Sequence, residues 1–342
     1  MTALGEPIAG STTVGRPAPE WFRRALAAEP DAGSAVVQGA RIAFSCWGQP
    51  DDPGIVLVHG GGAHAGWWDH IAPWFSGSHR VVAVDLSGHG DSDHRRHYTL
   101  ETWTEEVRSV ARAADVSGPY VVVGHSMGGF VAIAAAARFG HELAGVIAVD
   151  SPVSAPDPEM TSKDLQRAGR SGRAYQTLDE IVARFRTIPP QAEYLDYVIE
   201  HVARRSARHS QEGWRWKYDS RIFSQFASGL REFALPYLEQ VSCRFALLAA
   251  EHGLVTADVS EAMYEALGRA APIVALPDSG HHPMLDQPLV LVASIRALLA
   301  DWQHSIPRRR RQAAPVPSGP EGRAIPTRRI WNQPEPVRNR RR

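Results

Sequence analysis

A chain of 342 residues, 44% hydrophobic and 22% charged, has the composition of a globular protein, long enough for one large domain with an insertion or for two ordinary domains. Basic and acidic residues balance at 37 each, yet residues 308–342 hold eleven arginines against Glu321 and Glu335, so the body is acidic by nine charges and offers no nucleic-acid groove. Cys46 and Cys243, the two cysteines, fit neither a disulfide scaffold nor a metal-ligand spacing, and no apolar run approaches the roughly 18–20 residues that span a bilayer.

The first residues, "MTALGEPIAGSTTVGRPAPEWF", lack a basic start followed by an apolar stretch. No secretory signal is read there, and a cytoplasmic location is the expectation. Residues 1–18, rich in Gly, Pro, Ser and Thr, are expected to be disordered. "PEWFRRALAAEP" reads as a short helix with Trp21, Phe22 and Leu26 on one face, and "ARIAFSCWG" as an early strand. Short apolar runs rich in β-branched residues follow: "GIVLVHG" (54–60), "RVVAVDL" (80–86), "YVVVGHS" (120–126), "LAGVIAVDS" (143–151) and "RFALLAAE" (244–251). Runs without polar alternation are those of strands buried on both faces. Helical patterns at Trp67–Phe75, Leu100–Ala114 and Met127–Phe139 separate them. Strands alternating with helices at this spacing predict a parallel α/β sheet.

The rhythm breaks after Ser151. Residues 152–228 are charged and read as amphipathic helices with no strand, which predicts a helical insert between two core segments, 19–151 and 229–305. The second core segment ends in a helix with Val292, Ile295, Leu299 and Trp302 on one face. Residues 306–342 form a Pro/Gly/Arg tail without a core-forming face and are expected to be disordered.

Within "YVVVGHSMGGF", Ser126 stands between a buried strand and an alanine-rich helix, with Gly124 and Gly128 two residues to either side. A tight strand-to-helix turn would raise its hydroxyl above the sheet edge at a helix N-terminus, where amides face developing negative charge. "LVHGGGAHAGWW" leaves glycine amides uncovered, so an oxyanion hole is expected from the amides of Met127 and Gly61, with Gly62 the neighbouring alternative. A serine hydroxyl needs a base that titrates near neutrality. In "ALPDSGHHPMLDQP", His281 is the expected base, and His282 is the other candidate, structural or lining the pocket.

With these pieces in order, "VHGGG", "DLSGHGDSD", "GHSMGG" and "SGHHPMLDQP", the chain resembles α/β-hydrolase-fold enzymes of the lid-bearing esterase and lipase-like kind over roughly residues 36–302. The resemblance implies a mostly parallel eight-stranded sheet with helices on both faces and an inserted helical cap. It also implies Ser–acid–His catalysis with no cofactor and no metal. The family's usual acid falls in a stretch after the penultimate strand, and Gly253 of "LLAAEHGLVTADV" stands there instead. Other members carry it at the end of the strand after the nucleophile helix, which here is Asp150 in "GVIAVDSP". Asp150 is therefore taken as the acid, with Glu251 and then Asp258 as alternatives.

The expected reaction is hydrolysis of a small, apolar acyl ester, thioester or lactone through an acyl-enzyme. Trp214, Trp216, Tyr218 and Phe223 would form either an apolar wall in the cap or simply its core, while His64 and Trp68 follow the oxyanion glycines closely enough to reach the pocket. The same fold also serves a weakly catalytic small-molecule binder, a C–C bond hydrolase or a cofactor-free oxygenase. A serine at the turn argues against dehalogenases and epoxide hydrolases, which carry aspartate there. The expected partner is a small-molecule substrate, with no specific nucleic acid.

Overall fold

The computed structural model describes residues 17–153, 173–226, 234 and 236–305. Residues 1–16 of the stretch 1–18 expected to be disordered, the arginine-rich tail, and the parts of the insert at 154–172 and 227–228 lie outside these residues. Eight strands form one sheet in the spatial order β1-β2-β4-β3-β5-β6-β9-β10. They are β1 (Asp31–Val37), β2 (Ala40–Trp47), β3 (Gly54–Val58), β4 (Arg80–Val84), β5 (Tyr120–His125), β6 (Leu143–Val149), β9 (Arg244–His252) and β10 (Ile273–Gly280). β1 and β2 form an antiparallel hairpin, β2 joins β4 antiparallel, and every pairing from β4 to β10 is parallel.

The apolar runs of β3, β4, β5 and β6 are buried throughout because successive side chains enter two different cores. Val56, Val82, Val122 and Val146 face one core, together with α2 (Leu100–Ala113) and α3 (Met127–Phe139). Ile55, Val81, Val121 and Ile147 face the other, together with Phe22 of α1 (Glu20–Leu26) and with α9 (Pro288–His304). Each such side chain contributes roughly 1.5–3 kcal/mol on burial. On α2, Leu100, Trp103, Val107, Val110 and Ala111 recur at helical spacing and face the sheet, and the Thr99 hydroxyl caps the helix by accepting the Thr102 N–H at 3.1 Å. α3 is apolar all round and nearly every residue is buried, so its small alanines let the backbone lie close to the sheet.

Two expectations need correction. The pattern at Trp67–Phe75 gives two short 3₁₀ turns, Ala65–Trp68 and Ala72–Trp74, because Pro73 cannot donate into a continuous helix. The insert is not purely helical. It contains α4 (Leu178–Val182), α5 (Asp196–Arg205) and α6 (Arg221–Phe226), and also a two-stranded hairpin of β7 (Ala207–Ser210) and β8 (Gly213–Trp216). Gly213 at φ +115° fits against the Tyr175 carbonyl, where a Cβ would lie 2.4 Å away. β1 was not expected from the sequence. The helix α7 (Ala257–Ala266) follows β9, and the single turn α8 (Pro283–Asp286) lies between β10 and α9. Among the described residues, no helix is long and apolar enough to cross a membrane.

Candidate active site

The turn between β5 and α3 sets the serine. Ser126 has φ +52° and ψ −118°, a conformation a non-glycine residue adopts only when its surroundings enforce it. The enforcement is close packing. A Cβ on Gly124 would lie 2.1 Å from the Gly128 carbonyl oxygen, and one on Gly128 would lie 2.4 Å from that of Val58. Only glycines allow the helix to begin so near the strands. Met127 is the first helical residue, so its N–H has no intrahelical acceptor.

The residues that sequence places far apart meet at this turn. The Ser126 hydroxyl lies 3.0 Å from His281 Nε2, and His281 Nδ1 lies 2.6 Å from Asp150 Oδ2. Asp150 follows β6 in a left-handed conformation, φ +43°, which aspartate tolerates better than most residues. Its carboxylate accepts the amides of Leu254 at 2.7 Å, Ala250 at 3.2 Å and Val255 at 3.4 Å. Burial pushes the Asp150 carboxyl up, but the His281 hydrogen bond and charge and the Leu254 and Ala250 amides outweigh it and hold the group below the usual carboxylate range.

The alternatives for the acid are engaged elsewhere. Glu251 is exposed and accepts the Asp278 N–H at 2.8 Å, and the exposed Asp258 accepts the Thr256 hydroxyl at the start of α7. Gly253 has a definite steric role. A Cβ there would lie 2.3 Å from Asp150 Oδ2, so the glycine leaves the volume that the Asp150 carboxylate fills.

The loop carrying the histidine is fixed on several sides. His125, buried beside Ser126, donates from Nε2 to the His281 carbonyl at 2.8 Å; burial, reinforced by His281, lowers its pKa to about 3 and keeps it neutral. The Asp286 carboxylate accepts the Gly280 amide at 2.6 Å and the Gln191 side-chain amide at 2.9 Å. His282 donates its main-chain N–H to Gln191 Oε1 at 2.8 Å and its Nε2–H to the Pro189 carbonyl at 3.1 Å, tying the loop to the insert. The sequence reading missed His125, Asp286 and Gln191. The signal for His125 was its place beside the candidate serine, whereas Gln191 gave none.

The glycine loop follows β3 and lies beside the turn: a Cβ on Gly60 would come 3.3 Å from Ser126 Cβ, and one on Gly61 4.0 Å from Met127 Cβ. Phe223, from the insert, covers it: a Cβ on Gly62 would touch its ring at 3.0 Å, and Tyr218 meets the same ring edge-on at 5.6 Å. The other two aromatics are half-buried and pack within the insert: Trp216 on Phe185 and Trp214 on the exposed His209. His64 and Trp68 do not line the serine's surroundings as expected. His64 points at Ser206 after α5, and Trp68 is fully buried in a core cluster.

Comparison with known proteins agrees with this architecture. The sequence pattern of the "Alpha/beta hydrolase family" matches residues 55–295. The chain belongs to the α/β hydrolase family. Esterase Rv0045c of Mycobacterium tuberculosis is 27% identical over 279 residues, 77% of this chain and 88% of the relative. Monoacylglycerol lipase of Mycolicibacterium smegmatis is 34% identical over 131 residues, 36% of this chain and 47% of the relative. The crystal structure of E-2-(acetamidomethylene)succinate hydrolase superposes with a TM-score of 0.71 at 20% identity, covering 79% of this chain and 99% of that one, a likeness of α/β hydrolase fold.

Proposed function

We propose that this α/β hydrolase is a serine esterase that cleaves a small, apolar acyl ester, thioester or lactone through an acyl-enzyme. The observation that carries the reading is the pair of hydrogen bonds aligning Ser126, His281 and Asp150 at a strained turn, 3.0 and 2.6 Å long. Ser126 Oγ attacks the carbonyl carbon as His281 Nε2 takes its proton. Negative charge then develops on the carbonyl oxygen, facing the amides of Met127 and Gly61. The C–O bond (C–S in a thioester) to the leaving group breaks, and the leaving group takes the proton from His281. Water repeats the sequence: His281 accepts its proton, hydroxide adds to the acyl carbon, and the acid departs as Oγ recovers its proton. Asp150 keeps the Nδ1–H tautomer, leaving Nε2 free to accept, and stabilises the imidazolium.

The names of the esterase and lipase relatives support an ester substrate, and Phe223 with Tyr218 beside the glycine loop supports an apolar acyl group. A panel of p-nitrophenyl esters of varied chain length, run beside labelling with a fluorophosphonate, tests the reading. The expected result is hydrolysis of short acyl chains, labelling at Ser126, and loss of both in Ser126→Ala. An unlabelled wild-type serine would overturn it.

A further inference from the structure

Gly60, Gly61 and Gly62 form the most pliable backbone that three residues can make. An amide that must hold a developing oxyanion cannot drift, so this loop needs stiffness from its flanks. One flank is β3. The other is the His64–Ala65 pair, and each of these residues is held by a different part of the molecule.

Ala65 donates its N–H to Asp85 Oδ1 at 2.7 Å, and the other oxygen, Oδ2, accepts the Asp91 N–H at 2.8 Å. Asp85 is buried, and Gly90, at φ +57°, wraps it so tightly that a Cβ would lie 2.1 Å from its carboxyl carbon. The Asp91 side chain accepts Lys217 Nζ at 2.8 Å, from the insert. Lys217 in turn donates its main-chain N–H to the Ser206 carbonyl at 2.9 Å. Ser206 Oγ accepts His64 Nε2–H at 2.9 Å and donates to the Val202 carbonyl at 2.7 Å. The tautomer is set by the Gly66 N–H, which donates to His64 Nδ1 at 3.1 Å, and burial keeps the imidazole neutral. His64 and Ala65 share a peptide bond, so the chain of contacts closes on itself.

We propose that Asp85, Asp91, Lys217, Ser206 and His64 form one hydrogen-bonded circuit through which the seated insert positions the glycine loop, making Asp85, Lys217 and Ser206 positioning residues for the Gly61 amide. The circuit passes twice between core and insert, at His64–Ser206 and at Asp91–Lys217. Breaking either crossing leaves the circuit tied to the insert at one point instead of two. The catalytic consequence rests on the reading of Gly61 as an oxyanion donor; the mechanical one does not.

The test therefore uses two readouts on the full chain. Ser206→Ala removes the acceptor for His64, and Lys217→Met removes the charge that holds Asp91, without touching the serine, its base or its acid. Hydrogen exchange should accelerate at least tenfold at the Gly61–Ala65 amides in both variants, with the amides of α3 unchanged. On a p-nitrophenyl ester, kcat should fall about tenfold while KM moves less than twofold, since the missing contact acts in the transition state. Lys217→Arg should restore both readouts, because Arg still reaches Asp91 with a cation. Unchanged exchange in both variants would overturn the circuit. Faster exchange with unchanged kcat would overturn the positioning role alone, and so would a rise in KM at constant kcat. A wild-type enzyme that neither hydrolyses esters nor reacts with fluorophosphonate would overturn the esterase reading and leave the exchange result to judge the circuit.

Discussion

The C-terminal ends of β6 and β9 lie next to each other in the sheet and have opposite character. β6 is followed directly by a buried aspartate that holds the His281 imidazole and receives three amides. β9 ends in an exposed Glu251 and His252, followed by Gly253, whose missing side chain leaves room for that same aspartate. The two ends are complementary halves of one arrangement. One supplies the charge, and the other supplies the space and the amides that stabilise it.

Asp150→Asn tests the charged half hardest. An amide in place of the carboxylate favours the wrong imidazole tautomer, so kcat should fall about 10⁴-fold. A loss under tenfold would remove Asp150 from the role assigned to it. Gly253→Ala tests the empty half. Its Cβ would meet the carboxylate at 2.3 Å, so stability should drop by about 1–3 kcal/mol in urea unfolding. Activity should drop at least tenfold as the acid is pushed off the imidazole. Wild-type kinetics in that variant would mean the space is not needed.

Acid sharpens the contrast between buried and exposed groups. Burial lowers His59 and His70 to about 4 and His125 to about 3, and lowers His64, His89 and His282 as well. A depressed histidine binds its proton more readily when unfolded, so its contribution is complete above the unfolded value of 6.5 and is lost as the pH falls toward 4. Asp85 and Asp286, raised by burial to about 6, act with the opposite sign and recover part of the loss. The histidines outnumber them, so stability should fall by at least about 1.4 kcal/mol per pH unit between pH 6 and 4. Urea titrations at stepped pH would show it, and a flat profile would mean that water reaches these rings. The smallest effect belongs to Glu251→Gln. Its carboxylate accepts the Asp278 amide at the surface and stands apart from His281, so kcat should stay within twofold of wild type on the same ester panel.

Much of the core was legible because its physics is local. β3 to β6 are unbroken apolar runs, and α3 begins at Met127 and ends at Phe139, where the pattern places it. The candidate serine and histidine were legible because a glycine-flanked turn and a post-strand loop constrain backbone and chemistry together. The choice of Asp150 over Glu251 rested on the absence of an acid at 253. The reason for that absence, a carboxylate occupying the volume, needs three dimensions. The hairpin of β7 and β8 was missed because four-residue strands with charged side chains lack a clear period, and its pairing with Tyr175 is settled by tertiary contact. β1 was missed for a similar reason: an edge strand with exposed or half-exposed residues carries little hydrophobic signal.

Gly253 also imposes an order on anyone re-engineering this protein. Moving the proposed triad acid to position 253 cannot begin with Gly253→Asp alone, because the incoming side chain would collide with the Asp150 carboxylate before reaching the imidazole. Position 150 has to be emptied first. The two placements behave as exclusive alternatives, and a library that varies both residues together will cross between them where one-at-a-time scanning stalls.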